Sequence, residues 1–436
     1  MKPCVLLALV TIFAVVPAIG ATPWTLASAV AEAQATSPDA AIARERVNAA
    51  RAMLAQASAT NWPQLSLKAG YVQTDNPMHA FGTILGQGAF NSGIDFNHPG
   101  RVDNFNATVT LGYNLYTGGR ASARKEAAQN IAEAAELEQA VALEQLAAEV
   151  ACAYFHIRQT REGVGALEAA VAAMEASHRL AELRFDAGQL IRSELLNLKV
   201  QLAQIRERLL EARHQAEFAD RYFFFLLGGE ETDSVVLDQA DASATAFAAP
   251  ETPSIVNRAE LQGMRRRVAA AEKNLAAVRR ARRPTVNAFA GYQHDQGWRR
   301  NGDGRSWVAG IQAEVSLFDG PLTPGRINQA QAEVEQARAG LRRLELSLGL
   351  ELEQARLAHQ LALEQLAVTA SLIEQADEAA RISRERFEKG VLLTAELIGV
   401  ETRLTEARMR RAVALANERI AVVEFRRASG LPVIPK

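Results

Sequence analysis

The seven histidines and two cysteines are the residues of this 436-residue chain best suited to chemistry, and their spacing gives them none to do. The histidines are scattered, and no set of them has zinc-ligand spacing. Cys4 lies near the N-terminus and Cys152 in the middle of a helical run, so neither a disulfide framework nor a cysteine metal cluster can form. A nucleophile elbow, a P-loop and a dinucleotide fingerprint are all missing. The expectation is a non-enzyme with no catalytic residue, cofactor or metal. What does recur is a run of charged and turn-forming residues. Arg184-Phe185-Asp186-Ala187-Gly188, with Ser193-Glu194-Leu195 after it, returns as Arg386-Phe387-Glu388-Lys389-Gly390, with Thr394 and Glu396-Leu397 after it. A glycine at positive φ stops a helix, and a Ser or Thr soon afterwards can cap the next one. Each copy reads as the tip of a long helical hairpin, and two tips imply an internal duplication.

The flanking elements repeat as well. Apolar residues at 3,4 spacing, such as Leu143, Leu146, Val150, Ala153 and Ile157, mark a helix from near Arg120 to Arg184. Leu195, Leu198, Leu202, Ile205 and Leu209 continue the seam to about Leu227, and Leu397, Val400, Leu404 and Ala407 repeat it. Between shorter helices lie stretches of strict alternation, expected as strands at 64–73, 105–116, 285–294 and 306–318. Phe105, Ala107, Val109, Leu111, Tyr113 and Leu115 share one face of the second, with Asn106, Thr108, Thr110, Gly112 and Asn114 opposite. Residues 74–104 read as a loop. The boundaries expected are a signal peptide at 1–21, a first repeat at 22–228, a mixed linker at 229–253, a second repeat at 254–430 and a tail at 431–436.

Composition narrows the class. Lys and Arg number 48 against 50 Asp and Glu, too even for a nucleic-acid binder. The N-terminus carries Lys2, an apolar run from Val5 to Val16 and small residues at Ala18, Gly20 and Ala21, the pattern of a secretory signal cut near Gly20 or Ala21. Cys4 precedes the apolar run, so it is not a lipidated new N-terminus. No later run of about 18 apolar residues suggests a spanning helix. The strands are about ten residues long with one apolar face, as in membrane barrels, yet four cannot close a barrel alone. An open sheet edge in lipid is excluded, so the barrel must be shared among subunits. The basic stretches Arg265-Arg266-Arg267 and Arg279 to Arg283 read as a solvated helix face, or as a contact to anionic headgroups.

An ordered set of motifs now carries a resemblance over nearly the whole mature chain. Trp24-Thr25-Leu26 with Ala29, Asn61-Trp62-Pro63, Leu115-Tyr116-Thr117-Gly118-Gly119-Arg120 and the two Arg-Phe-x-x-Gly tips resemble the outer-membrane efflux factors of the TolC-like family. The resemblance implies a fold that is mainly α with a β-barrel portion: duplicated helical hairpins forming a periplasmic α-barrel, and four strands per subunit in a twelve-stranded trimeric barrel. It places 229–253 in an equatorial belt and makes the chain a passive exit duct for efflux or type I secretion. The implied partners are a homotrimer, a periplasmic adaptor, an inner-membrane pump and outer-membrane lipid. By position it assigns Ser193, Glu194, Phe387 and Glu396 to a periplasmic gate, whose acids would form rings that favour cations. It leaves Arg184, Gly188, Gln189, Arg386, Gly390 and Val391 as adaptor contacts. Gly399 stands where a second acid is expected and Leu392 where a basic residue sometimes occurs, which implies a less charged gate. A periplasmic coiled-coil adaptor or scaffold is the alternative; it would explain the helices but not the paired strands.

Overall fold

Alternating residues build four strands here, and 3,4-spaced apolar residues build the helices that continue from them. The computed structural model describes residues 23–434 apart from 96, 231–233, 239–248 and 251. The expected signal peptide therefore lies outside the described residues, and the expected 229–253 linker is described only in part. The elements are α1 (Leu26–Thr36), α2 (Pro38–Ala59), β1 (Gln64–Thr74), α3 (Pro77–Gly86), β2 (Val102–Tyr116), α4 (Arg120–Asp186), α5 (Arg192–Leu227), α6 (Ala259–Arg279), β3 (Thr285–Gly297), β4 (Gly302–Glu314), α7 (Leu322–Glu388) and α8 (Thr394–Ala428). A short 3-10 turn, Arg280–Arg282, joins α6 to β3.

The strands form one antiparallel sheet in the order β1-β2-β3-β4. Its register sets Leu67 opposite Val109, Val109 opposite Tyr292 and Tyr292 opposite Trp307, so one face is apolar across all four strands. That face is bare: Leu65 is 72% exposed, Ile311 72% and Trp307 78%. The opposite face carries Lys68, Thr108, Gln293 and Ser306 in one row. From Phe105 to Leu115 the apolar side runs about 33 Å along β2. At a strand tilt of roughly 40° that gives a band about 25 Å tall, the height of a membrane barrel's lipid-facing belt. Aromatic rings gather at its far end, where Trp298 lies 5.7 Å from Tyr71 and 6.1 Å from Phe105, while Trp62 stands exposed at the helical end.

Three strands differ from expectation, β3 by running on to Gly297. β2 begins at Val102 because the Asp103 carboxylate accepts the Trp298 and Arg299 amides at 3.1 and 2.9 Å, fastening the β3–β4 turn. β4 begins at Gly302 and stops at Glu314, so Val315 and Leu317 lie beyond its end.

α4 and α7 contain 67 residues each, about 100 Å of unbroken helix. Beside each, two shorter helices stack end to end: α2 on α5, about 33 and 54 Å long, and α6 on α8, about 32 and 53 Å long. The joints are built alike. At the first, Gly228 ends α5 at φ 79°, and a Cβ there would lie 2.9 Å from the Thr36 carbonyl. At the second, Gly430 packs on Arg258, the residue that precedes α6. In both, the C-terminus of one helix abuts the N-terminus of the next, so the dipoles run on in one direction.

The apolar seams expected from the sequence are buried. Leu146, Val150 and Ile157 of α4 pack with α1, with Phe223 and Leu227 of α5 and with Val423 of α8 around the first joint. Leu167 and Met174 pack with Leu198, Leu202 and Ile205 nearer the tip. One stretch of α4 is apolar enough by composition to cross a membrane, but half of it is buried in this helical packing. Cys152 sits beside the first cluster, where burial, with the Glu424 charge second, pushes its thiol up to about 12. It is an inert packing residue. Arg266 and Arg267 of the basic stretch pair with Glu133 and Glu138 of α4 at 2.9 and 2.6 Å, while remaining about half exposed.

Arg258 is the charge most completely withdrawn from water, at 2% exposed. It donates to Glu260 and, at 2.8 Å, to Glu351, while Arg427 reaches Glu351 at 2.7 Å. Burial pushes the Glu260 carboxyl up, but the hydrogen bond and charge of Arg258 outweigh it and hold the group low. A carboxyl depressed in the folded state stabilises fully above its unfolded pKa of about 4.3, and that contribution vanishes as pH falls through the lower folded value. Thermal midpoints measured from pH 7 down to pH 3 should therefore fall through this window, and Glu260→Gln should flatten part of the fall. Arg258→Ala, which strands two partly buried carboxylates, should cost about 3–5 kcal/mol.

Candidate functional site

The first tip is a Schellman turn. Gly188, at φ 71°, donates to the Phe185 carbonyl at 2.9 Å, and Gln189 donates to that of Arg184 at 2.8 Å. The second tip repeats it: Gly390, at φ 77°, donates to Phe387 at 3.0 Å, and Val391 to Arg386 at 3.0 Å. The sequence expectation of a Ser or Thr cap on the return helix is not met. Ile191 and Leu393 occupy the cap positions with no side-chain bond, and Ser193 and Thr394 fall inside the first turn. Packing replaces capping here: Leu190, Leu195 and Leu392 lie against the core beneath the tips.

Apart from Arg184, the candidate residues divide into three groups. Ser193 and Glu396 are exposed and Glu194 is half-buried, and neither carboxylate makes an ion pair or hydrogen bond among the described residues. Gln189, Arg386, Gly390 and Val391 are exposed at the extremity, as is Gly188. Phe387 goes elsewhere. It is 2% exposed, within the cluster formed by Leu198, Leu202 and Leu397, and cannot also line a lumen. Positional correspondence put it in the gate; the core between the two hairpins claims it.

Arg184 joins the two tips. Its Nη1 donates to the Phe387 carbonyl at 3.0 Å, and its guanidinium lies 5.6 Å from the centre of the Phe387 ring. The same guanidinium lies against Gly390, where a Cβ would displace it. Just above, Arg384 holds Glu401 through two hydrogen bonds, at 2.5 and 2.8 Å, with Glu401 5% exposed. This pair fastens α7 to α8, and nothing in the sequence patterns singled it out. Gly399, where an acid was expected, lies 3.9 Å from the Arg403 guanidinium when given a Cβ. An acid there would have a ready partner, which this chain omits.

The opposite end holds a feature the sequence reading missed. The 74–104 segment, expected as loop, contains α3, and α3 lies on the polar face of the sheet. Gln87 inserts between Gly297 and Gly302, and its Nε2 donates to the Asp103 carbonyl at 2.6 Å and to Asn104 Oδ1 at 2.9 Å. Asp295 accepts from Asn104 and Asn106, each at 2.7 Å, and from Gln293 at 2.6 Å. Ile84 and Ala80 pack on Val102 beneath the helix. A Cβ on Gly304 would sit 1.7 Å from the Gly86 carbonyl, so the three glycines form the recess that receives the segment. Clusters of three or more metal-ligating side chains do not occur among the described residues.

An amphipathic four-stranded sheet on a duplicated pair of 67-residue helices is a narrow specification, and one family's sequence pattern meets it. The outer membrane efflux protein pattern matches residues 29–229 and 253–431. The chain belongs to that family. Protein CyaE of Bordetella pertussis is 26% identical over 409 residues, covering 88% of this chain and 79% of that protein. The outer membrane protein VceC of Vibrio cholerae superposes with a TM-score of 0.75 at 18% identity, covering 94% of this chain and 96% of that one. The CmeC outer membrane channel of Campylobacter jejuni gives 0.78 at 14% identity, covering 94% and 87%. This efflux protein is therefore an outer-membrane channel of a transport family, with its sheet in the membrane and its helices extending into the periplasm.

α3 lies on the polar face of the sheet, the face that lines the lumen in membrane barrels. Gly304→Val should push α3 out of its recess and raise single-channel conductance in planar bilayers. An unchanged conductance would mean that this segment does not narrow the exit.

Proposed function

We propose that three copies of this efflux protein assemble into one duct that carries substrate passively from a periplasmic adaptor and an inner-membrane pump to the exterior. The observation that carries the reading is the pair of bare edges each protomer presents. β1 and β4 are the free edges of a lipid-facing sheet, and only pairing with another copy can satisfy their backbone groups. The helical layer is bare at corresponding places. α7 packs mainly on α6 and α8, and its far side exposes Leu346, Leu350, Leu357, Leu361, Val368 and Leu372 in an eleven-residue period. At the other edge α5 exposes Leu210, Phe218 and Phe225, and α2 exposes Ile42 and Met53. Within one chain, α4 already packs between α2 with α5 on one side and α6 with α8 on the other. By the duplication, α7 of one copy seats on α2 and α5 of the next. Three copies give twelve strands, enough to close a barrel; one copy gives four, which is too few.

At the periplasmic end, Glu194 and Glu396 become two rings of three carboxylates, with Ser193 beside them, and favour cations at the entrance. Gln189 and Val391, with Gly390, form the surface that meets the adaptor, while Arg184 supports that surface from beneath. Combined Glu194→Ala and Glu396→Ala should lower cation selectivity markedly and raise leak of antibiotics into cells; unchanged selectivity and leak would remove both acids from the gate. A photocrosslinker at Gln189 or Val391 should capture the adaptor in cells that express it, and consistent failure to do so would place the docking surface elsewhere.

A further inference from the structure

The two tips are chemically alike, yet only one of them is complete within a protomer. Positions 202 apart correspond: Arg184 to Arg386, Phe185 to Phe387 and Gly188 to Gly390. At the second tip the Phe387 carbonyl accepts both the turn amide and the Arg184 guanidinium, the ring is buried under that cation, and Gly390 is covered by it. At the first tip the Phe185 carbonyl accepts only backbone amides of its own turn among the described residues, Phe185 is 36% exposed against 2% for Phe387, and Gly188 has nothing within 4 Å of a Cβ. The arginine that would fill this socket by repetition is Arg386. It is exposed and makes no hydrogen bond or ion pair among the described residues.

Resting on the trimer reading, we propose that Arg386 of each copy donates to the Phe185 carbonyl of the next copy, lies over its Phe185 ring and covers its Gly188. The periplasmic mouth is then bound by six arginine clasps, three within protomers and three between them. The relation follows from which edges meet. Arg184 ends α4 and reaches the α7–α8 turn; Arg386 ends α7, whose bare stripe faces α2 and α5 of the neighbour, and so it reaches that neighbour's α4–α5 turn. Each acceptor is a peptide carbonyl, which stays uncharged across the physiological pH range. The clasps therefore do not depend on the Glu194 and Glu396 rings, and they supply restraint where Leu392 and Gly399 offer no charge.

The test is site-specific photocrosslinking of the full-length protein in outer membranes. With p-benzoylphenylalanine in place of Arg386, illumination should give covalent two- and three-subunit bands, and peptide mapping should place the link within 184–192 of the neighbour. The same probe in place of Arg184 should link within one chain, near 387–391, and leave the band at single-subunit mass. Arg386→Lys should retain more of the detergent-resistant trimer on gels than Arg386→Met, because only lysine keeps a donor. If native mass measurement shows trimers while the probe at position 386 gives no intersubunit product, or one that maps elsewhere, the clasp is overturned and the trimer stands. A single-subunit mass for the solubilised native protein overturns both.

Discussion

A strand edge cannot stay unpaired in hydrocarbon, and the architecture of this protein follows from that constraint. Each backbone group left without a partner there costs several kcal/mol, and the outer edges of β1 and β4 each present a row of them. No side-chain arrangement on the sheet offsets a cost of that size, so the folded unit in the membrane is larger than one chain. The up-and-down strand order answers the problem without a crossover, since β1 and β4 run in opposite directions and β4 of one copy can therefore pair antiparallel with β1 of another. The helices below must then repeat around the same axis. They do so because each strand pair is continuous with one long helix and a stacked pair of short ones.

That stacking depends on length and on buried contacts. The surface of the helical layer carries many ion pairs between neighbouring helices, among them Arg51–Glu136 at 2.7 Å with both partners about half exposed. Such exposed pairs contribute about 0–1 kcal/mol each and cannot fix which turn of α2 faces which turn of α4. The register is set by the apolar seams and by the two joints. At each joint a glycine at positive φ brings one helix end close against another, most tightly at Gly228, where a Cβ would lie 2.9 Å from the Thr36 carbonyl. The buried Arg258 network reinforces the second joint, because an uncompensated guanidinium at that depth would cost far more than a surface pair contributes.

Much of this was legible in the sequence because lipid and coiled packing impose strict periods. A sheet with lipid on one side and water on the other forces alternation, and Phe105 to Leu115 show it without exception. Long helices packed side by side force 3,4 spacing, and Leu195 to Leu209 show that. α3 was missed although Asn76 and Pro77 mark its start, because ten residues between Gly- and Asn-rich flanks give too short a run to read as a helix. The helix is held by a recess of three glycines that come together only in the folded sheet. The absent Ser/Thr caps failed for a related reason, since tertiary packing of Leu190 and Leu392 settles the turns that local capping would otherwise settle. Phe387 marks the limit of carrying a role over by position. A correspondence along the chain says which residue occupies a place in a repeat, not which side of a subunit boundary that repeat faces.

The boundary explains why duplicated halves need not behave alike. In a ring made from two-fold repeated chains, every contact type occurs once inside a protomer and once between protomers. The sequence can keep both chemically identical while the energetics diverge. The inner contact is formed as the chain folds and is held by covalent proximity. The outer one forms only on assembly and must overcome the entropy of association. A channel that has to open at its periplasmic end gains from this asymmetry, because outer contacts can separate while the hairpins remain folded. Arg184 on Phe387 and Arg384 on Glu401 belong to the inner set and keep each hairpin pair rigid. In the proposed ring the exposed Phe185 and Arg386 fall where copies meet, so the groups able to yield are collected at the seam and those that must not yield are buried behind it.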